Sequence, residues 1–189
     1  MANPNDAQRL TLYDARELDA VLLEMARRAA PLLPPGDSAL VGILRRGEPL
    51  ARRLQEHLVQ HCGHTPLPVH ALKVKRYADD LSLLHPETAL TENPQLAGMD
   101  LGRTTLLVVD DVLYEGHSLL RACAYLAQLG ARHVLAAVLV DRCVSRQPVH
   151  ADVVGVHLQV APDDIVECNV PPYEAELRID VLRHGRRRT

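Results

Sequence analysis

Residues 104–141 read TTLLVVDDVLYEGHSLLRACAYLAQLGARHVLAAVLVD and contain the pattern that decides the fold. The apolar run that ends at Asp110 indicates a buried strand, and the run His133–Asp141 indicates a second one. Between them, His117–Gly130 has a helical pattern that ends at a glycine. A strand, helix and strand in this order join two parallel strands by a right-handed crossover. The segment therefore predicts an α/β fold, with a parallel sheet flanked by helices.

The preceding part of the chain repeats the alternation of helix and strand. Asp14 and Glu17 form a possible capping box before an amphipathic helix. The run SALVGI at 38–43 predicts a strand, and leucines at helical spacing predict a helix over residues 50–62. Residues Pro68–Tyr77 contain β-branched residues in partial alternation and predict a further strand.

The length of 189 residues suits one domain spanning 1–189. A long connection with several helix breakers, at about 77–102, predicts a flap over a functional site. Short extended pieces separated by prolines predict added strands or a small C-terminal cap at about 152–183.

Composition excludes several classes of protein. A net charge of −3 and a hydrophobic content of 47% argue against disorder and against a general role in binding polyanions. Phe and Trp are absent and only five Tyr could stack on bases, which argues against an aromatic platform for single-stranded nucleic acid. The start, MANPNDAQRL, lacks a secretion signal, and no apolar run is long enough to cross a membrane. We expect a cytoplasmic protein with no membrane partner, whose four separated cysteines are free thiols: Cys62, Cys123, Cys143 and Cys168.

Three loops are predicted to meet at the carboxyl edge of the sheet, after Leu44, Asp110 and Asp141. In the middle loop, Gly116 and Ser118 lead into a helix N-terminus, a place that favours phosphate. Asp110 and Asp111 offer oxygens to sugar hydroxyls or to a hydrated Mg²⁺. Together these features suggest a phosphorylated ribose, although the same spacing also fits a plain turn with a helix cap.

A resemblance decides between these two interpretations. The segment LLVVDDVLYEGHSLLRA resembles the phosphoribosyl-pyrophosphate (PRPP) signature of type I phosphoribosyltransferases. It is most similar to that of the uracil phosphoribosyltransferase and pyrimidine-operon attenuation regulator family, which reads VDDVLYTGRT there. LVGILRRGEPLARRL, YADDLS, AVLVDR and ADVVG also resemble family segments, so the likeness spans roughly residues 10–182 in the same order.

The resemblance implies a reaction in which a pyrimidine nitrogen replaces pyrophosphate at C1 of PRPP. Mg²⁺ would arrive bound to PRPP, with no direct protein ligand, and would reach the two aspartates at most through water. The resemblance implies that catalysis involves Asp110, Asp111 and the flap residue Arg76. It implies that PRPP is bound by Arg46, Gly47, Asp110, Asp111, Glu115, Gly116, His117 and Ser118. It also implies that the base is bound by Asp141, Arg142 and Val156.

The chain departs from the family pattern at four places. The phosphate-loop Thr and Arg are Glu115 and His117, the flap Arg is Ala78, and the base-side segment VGKNIPT is VGVHLQV. A carboxylate about 4 Å from phosphate costs roughly 4 kcal/mol at an effective dielectric constant of 20, but about 1 kcal/mol through solvent. Our hypothesis is therefore that the Glu115 side chain turns outward and leaves the backbone N–H groups to the phosphate.

The favoured activity is the conversion of uracil and PRPP to UMP and pyrophosphate by a homodimer or higher oligomer, with control of pyrimidine genes as an added role. One alternative is a catalytically silent, nucleotide-sensing regulator that binds an RNA leader transcript. A transferase for another base, such as hypoxanthine or guanine, is the other. The RNA hypothesis comes from the resemblance to the regulator branch of the family. Residues 45–76 are consistent with it, because they contain seven basic residues (Arg45, Arg46, Arg52, Arg53, Lys73, Lys75, Arg76) against two acidic ones (Glu48, Glu56).

Overall fold

A computed structural model describes residues 8–74 and 93–183. In chain order its elements are β1 (Gln8–Tyr13), α1 (Ala15–Ala29), β2 (Ser38–Ile43), α2 (Gly47–Cys62), β3 (Val69–Leu72), α3 (Pro94–Ala97), β4 (Thr105–Leu113), α4 (His117–Gln128), β5 (His133–Asp141), β6 (Val153–His157), β7 (Ile165–Asn169) and β8 (Arg178–Arg183). A short 3₁₀ turn, Ala30–Leu32, follows α1.

The main sheet is parallel and has the strand order β3-β2-β4-β5-β6, which confirms the predicted fold class. After β2 the chain moves to one side to form β3, and it then returns to β4 on the other side of β2. The order therefore reverses between β2 and β4. Ligands of open α/β sheets bind outside the carboxyl ends of the strands at such a switch point.

The continuous apolar run of β4 is explained by helices on both faces of the sheet. Leu107 and Val109 lie in a core cluster with residues of α1 and α2. Leu106 and Val108 lie in a second cluster with residues of α3 and α4. Because successive side chains of a strand point to opposite faces, a central strand covered on both sides is apolar at every position.

Helices α1 and α2, before and after β2 in the chain, each begin at residues that favour a helix start. The predicted capping box is present before α1: Glu17 N–H donates to Asp14 Oδ1 at 2.8 Å, and Asp14 N–H donates to Glu17 Oε2 at 2.9 Å. Helix α2 begins at Gly47, three residues before the predicted start. A Cβ atom on Gly47 would lie 2.3 Å from the Val109 carbonyl oxygen, so only glycine lets α2 start this close to β4.

The predicted C-terminal segment is divided between two sheets, one of which also includes a strand from the start of the chain. Strand β6 joins the main sheet, whereas β7 and β8 form a separate antiparallel sheet. The third strand of this small sheet is β1, which the sequence analysis did not predict and which pairs with β8. Two side chains of β1 bind the fully buried Asp180: Arg9 Nη1 donates to Oδ2 at 2.7 Å, and the Thr11 hydroxyl donates to Oδ1 at 2.8 Å.

The predicted strand and flap after residue 68 are described only in part. Strand β3 ends at Leu72, and residues 75–92, with the flap residues Arg76 and Ala78, lie outside the described residues. Residues 93–102 were assigned to the flap, but Leu96 and Leu101 are buried in the second core cluster. Residues 93–102 therefore pack against the core through these two leucines and are not part of the flap. Within the described ranges, no helix is long and apolar enough to cross a membrane.

Candidate active site

The carboxyl ends of β2, β4 and β5 surround one cleft with a volume of about 480 Å³, as the shared rim of the three loops predicted. Strand β7 and the loop before it form the opposite wall. Of the residues predicted for the site, five line this cleft: Arg46, Asp110, Asp111, Ser118 and Arg142.

The two adjacent aspartates lie within the last residues of β4, which continues to Leu113 rather than ending at Asp110. Asp111 N–H donates to Asp110 Oδ1 at 2.9 Å, and Val112 N–H donates to Asp111 Oδ1 at 3.0 Å. Each carboxylate is thus oriented by the backbone N–H group of the next residue. The arrangement holds both acids at the switch point of the sheet.

Arg46 is bound to an acidic residue that the sequence analysis did not single out. Its Nη2 and Nε donate to Glu174 Oε1 at 2.6 and 3.2 Å, and its Nη1 lies 3.7 Å from Asp111 Oδ2. Glu174 Oε2 also accepts from Val170 N–H at 2.8 Å. The hydrogen bond between the two side chains lowers the pKa of Glu174 and raises the pKa of Arg46. Arg46, the residue predicted to bind pyrophosphate, is therefore held by the segment between β7 and β8.

A second contact joins the same two segments. The guanidinium carbon of Arg45 lies 5.1 Å from the ring centroid of Tyr173, within the range of a cation–π interaction. The Leu44–Arg45 peptide bond that precedes this contact is cis. No local pattern indicates either contact, because the partners are about 128 residues apart in the sequence.

The loop between β4 and α4 is shaped by Gly116, which has a φ of +89° and caps the helix N-terminus. A Cβ atom there would lie 2.7 Å from Ser145 Oγ, so the neighbouring loop also requires glycine. The Glu115 carbonyl accepts from Arg146 N–H at 3.2 Å and from Gln147 N–H at 3.3 Å. The first N–H groups of α4 have no acceptor within the helix, as at any helix start, and face the loop.

The Glu115 side chain lies toward basic groups on the surface. Its carboxylate oxygens are 3.6 Å from His117 Nε2 and 3.7 Å from Arg146 Nη1. A small cavity of about 10 Å³ within the loop is lined by Gly116 and Ser118. In the described part of the chain, neither this cavity nor the larger cleft is lined by Glu115 or His117. The Glu115 carboxylate therefore pairs with His117 and Arg146 and lines neither cavity.

The predicted base side of the cleft is occupied by Arg142, which is only 7% exposed. Its guanidinium carbon lies 5.2 Å from the ring centroid of Tyr114. Among the described residues, its buried Nε has no hydrogen-bond partner. A buried donor without a partner is costly, so this group is suited to a ligand acceptor.

The structure places the other two predicted base residues differently. Asp141 Oδ1 accepts from Cys143 N–H at 2.7 Å, and Val156 packs against the core cluster that contains α1 and α2. Within the described ranges, neither side chain lines the cleft. The apolar wall comes instead from Ile165 and Val166 of β7, which the sequence analysis assigned only to the cap.

The comparisons with known proteins agree with this geometry. A family profile described as "Phosphoribosyl transferase domain" matches residues 20–176. The chain belongs to this phosphoribosyltransferase family. Proteins named "Bifunctional protein PyrR" are similar to it: that of Caldicellulosiruptor bescii is 36% identical over 143 residues, covering 74% of this chain and 76% of the relative. That of Elusimicrobium minutum is 34% identical over 175 residues, covering 90% and 95% of the two chains.

Solved structures show the same phosphoribosyltransferase fold. Hypoxanthine phosphoribosyltransferase from Trypanosoma cruzi in complex with IMP superposes with a TM-score of 0.67 at 18% identity, covering 96% of this chain and 94% of that one. An asparagine mutant from a study of an invariant aspartic acid in such enzymes superposes with a TM-score of 0.72 at 20% identity, covering 94% and 93%. At these identities the likeness supports the fold alone.

Three described arginines of the basic segment of this phosphoribosyltransferase have separate partners. Arg45 and Arg46 face Tyr173 and Glu174, as described above, and Arg52 is paired with Glu48. Lys75 and Arg76 lie outside the described residues. The predicted net positive charge is thus divided between the cleft and the exposed side of α2.

Proposed function

We propose that this phosphoribosyltransferase transfers the phosphoribosyl group of PRPP to uracil and releases UMP and pyrophosphate. The observation that carries the proposal is that Asp110, Asp111 and Arg46 meet in one cleft beside the N-terminus of α4. This set provides for the three charged parts of PRPP: the 5′-phosphate, the ribose and the pyrophosphate. The specific base comes from the sequence resemblance.

The residues on the β4 side would bind the ribose 5-phosphate. The N-terminus of α4, with Gly116 and Ser118, would receive the phosphate on backbone N–H groups and a hydroxyl. Asp110 and Asp111 would accept hydrogen bonds from the ribose hydroxyls. As the bond to pyrophosphate breaks, positive charge develops on the sugar, and nearby carboxylates stabilise it.

The donor set of the cleft fits the Mg²⁺ that we expect to accompany PRPP. Asp110 and Asp111 offer carboxylate oxygens, the hard ligands that Mg²⁺ prefers, and would reach the ion through water. Bound Mg²⁺ would neutralise part of the pyrophosphate charge. Arg46, the last loop residue before Gly47 begins α2, would bind the departing pyrophosphate by charge-assisted hydrogen bonds.

Glu174 competes with pyrophosphate for Arg46, so we expect Glu174→Gln to bind PRPP more tightly. The lost ion pair has a hydrogen bond of 2.6 Å and leaves Arg46 available to the ligand. A gain of about five- to tenfold in PRPP affinity is expected from the usual net strength of such a bond. Calorimetric titration with PRPP and Mg²⁺ measures it.

Glu176→Gln is the matched control, because Glu176 is a more exposed acid that pairs with Arg178 at 3.7 Å outside the cleft. Its affinity for PRPP should equal that of the unmodified protein. Weaker binding by Glu174→Gln would show that Glu174 supports the ligand rather than competing with it.

The base would lie between the β5 side and β7. Arg142 would donate from its unpartnered Nε to a carbonyl oxygen of the base, and Ile165 would cover a base face. Asp141 and Val156 would contribute through the backbone at the ends of β5 and β6. Arg76 remains the predicted flap residue that closes over the reacting atoms.

The direction of the Glu115 side chain predicts that its charge has little effect on PRPP binding. In the isosteric variant Glu115→Gln we expect the Kd for PRPP to change by less than about fivefold, because a charge pair through solvent contributes about 1 kcal/mol. Glu115→Thr, which restores the residue of the family pattern, should behave alike. Calorimetric titration of both variants with PRPP tests this. A gain in PRPP affinity of a hundredfold or more would show that the Glu115 carboxylate lies next to the bound phosphate.

The proposed reaction is tested by mixing protein, Mg²⁺ and PRPP with uracil, hypoxanthine, guanine or orotate and measuring pyrophosphate. We expect release with uracil and formation of UMP. Release with a purine alone would reassign the base. No release with any base, while PRPP still binds, would favour the silent nucleotide sensor.

RNA binding is the second role that the sequence resemblance implies, and the relatives are named as bifunctional proteins. The surface that would serve it is the exposed side of α2 with Arg52, together with Lys73. Binding to a pyrimidine-gene leader transcript should weaken with salt and in Arg52→Glu. Equal binding to an unrelated RNA would leave only non-specific charge. A homodimer, also predicted, would place two such surfaces in one particle.

A further inference from the structure

Three side chains at the edge of the main sheet have the composition of a transition-metal site. They are Asp141, Cys143 and His157, and their possible ligand atoms all lie within 4.8 Å of one another. The proposed transfer reaction assigns no role to the side chains of Cys143 and His157. A thiolate and an imidazole bind Zn²⁺ and similar divalent metals in preference to Mg²⁺, and a carboxylate can complete such a ligand set.

The register of the sheet holds two of the three ligands in place. Asp141 is the last residue of β5 and His157 is the last residue of β6, and the two are direct register partners in the parallel pair. Cys143 follows two residues later, and its N–H donates to Asp141 Oδ1 at 2.7 Å. This bond orients the carboxylate so that Oδ2 faces the histidine. The ligands are therefore positioned by strands rather than by a long loop.

Two of the three distances between ligand atoms are close to those around one tetrahedral ion, and the third is no more than 4.8 Å. With Zn–S of about 2.3 Å and Zn–N of about 2.05 Å, tetrahedral angles separate sulfur from nitrogen by about 3.5 Å and nitrogen from oxygen by about 3.3 Å. Cys143 Sγ lies 3.5 Å from His157 Nδ1, and Asp141 Oδ2 lies 3.8 Å from the same nitrogen. A shift of about half an ångström in the exposed His157 closes the second gap, so little rearrangement is needed.

The backbone at Cys143 gives a second, independent observation. Its φ is +55°, a conformation that favours glycine, and within the described residues it is the one non-glycine with positive φ. This conformation costs about 1 kcal/mol for an ordinary side chain. It directs the thiol toward His157, as the 3.5 Å contact shows.

We propose that Asp141, Cys143 and His157 form a zinc-type site with three protein ligands and a water molecule in the fourth position. On binding, a metal–sulfur bond forms and the thiol proton passes to the buffer. Arg142 lies between two of the ligands in the chain and lines the cleft. A bound metal therefore fixes the segment that carries Arg142. The inference rests on these three side chains and does not depend on the transferase activity.

Cobalt substitution of the purified full-length chain tests this site directly. With Co²⁺ we expect one equivalent to bind and to give the intense near-ultraviolet charge-transfer absorption of a cobalt–thiolate bond. Zn²⁺ should displace it. Calorimetry in buffers of different ionisation enthalpy should show release of about one proton per metal.

Cys143→Gly is the decisive variant, because glycine accepts the positive φ and should keep or raise the melting temperature. It should abolish the thiolate band and weaken Zn²⁺ binding at least about a hundredfold, since even the loss of an outer-sphere partner costs up to that factor. His157→Asn should also weaken binding, whereas Cys62→Ser and His150→Asn are matched controls that should not. A missing band in the unmodified protein, or a band that persists in Cys143→Gly, would overturn the proposal.

Discussion

Replacing both Asp110 and Asp111 by asparagine is expected to lower kcat/KM for UMP formation by more than a hundredfold. Both carboxylates line the cleft at the end of β4 and are oriented by backbone N–H groups. Asparagine keeps the size of the side chain but removes the negative charge that stabilises the cationic sugar. Loss of one preorganised electrostatic contact typically costs about 10²–10³ in rate.

The effect should appear mainly in kcat, because the charge on the sugar develops only as the bond to pyrophosphate breaks. Steady-state kinetics with PRPP as the varied substrate separate kcat from KM. Glu24→Gln removes an acid from an exposed ion pair with Arg27 on α1 and serves as the control. A double variant that retains more than a tenth of the activity would contradict the roles assigned to the two aspartates.

Asp180→Asn is expected to lower the free energy of unfolding by about 3 kcal/mol at neutral pH. Asp180 is fully buried in the small sheet and accepts hydrogen bonds from Arg9 at 2.7 Å and Arg178 at 3.0 Å. Thr11 and Asn169 donate to the same carboxylate at 2.8 and 3.2 Å. Without the negative charge, two guanidinium groups remain beside a neutral amide. Urea unfolding of the two proteins measures the difference.

The pH dependence of this difference has a definite sign. Burial alone would raise the pKa of Asp180, but the hydrogen bonds from Arg9 and Thr11 outweigh it and lower the pKa below the ordinary value of 3.8. A carboxyl with a lowered folded-state pKa stabilises the protein fully above its unfolded pKa and loses that contribution as the pH falls through the folded pKa. The advantage of the unmodified protein should therefore be constant above about pH 5 and should shrink below about pH 4.

Glu24→Gln serves again as the control, since its exposed pair should change stability by less than about 0.5 kcal/mol. An Asp180→Asn protein as stable as the unmodified one at pH 7 would mean that the buried ion network contributes nothing net. A difference that grows on acidification would reverse the assigned direction of the pKa shift.

The main sheet could be predicted because its signals are local. The run before Asp110, the capping box at Asp14 and the glycine at 116 each specify a short piece of backbone, and parallel order follows from their succession. The small sheet could not be assembled in the same way, because β1 pairs with β8 from the opposite end of the chain. Its stabilising residue, Asp180, has no sequence signal apart from its position among apolar residues.

The site was predictable where the family pattern is contiguous and was missed where two distant segments meet. Asp110, Asp111 and Ser118 line the cleft as expected. The contact of Arg46 with Glu174 joins loops on different sheets, so no spacing indicates it. The side chain of Val156 faces the core because of the register in which β6 pairs with β5. Short apolar stretches of sequence do not determine that register.

We propose that PRPP binds in the cleft between Arg46 and the two aspartates. Calorimetric titration of the unmodified protein with PRPP in the presence of Mg²⁺ tests it most directly. We expect saturable binding of one PRPP per chain, retained in the double asparagine variant and strengthened in Glu174→Gln. No heat of binding at millimolar PRPP would contradict it.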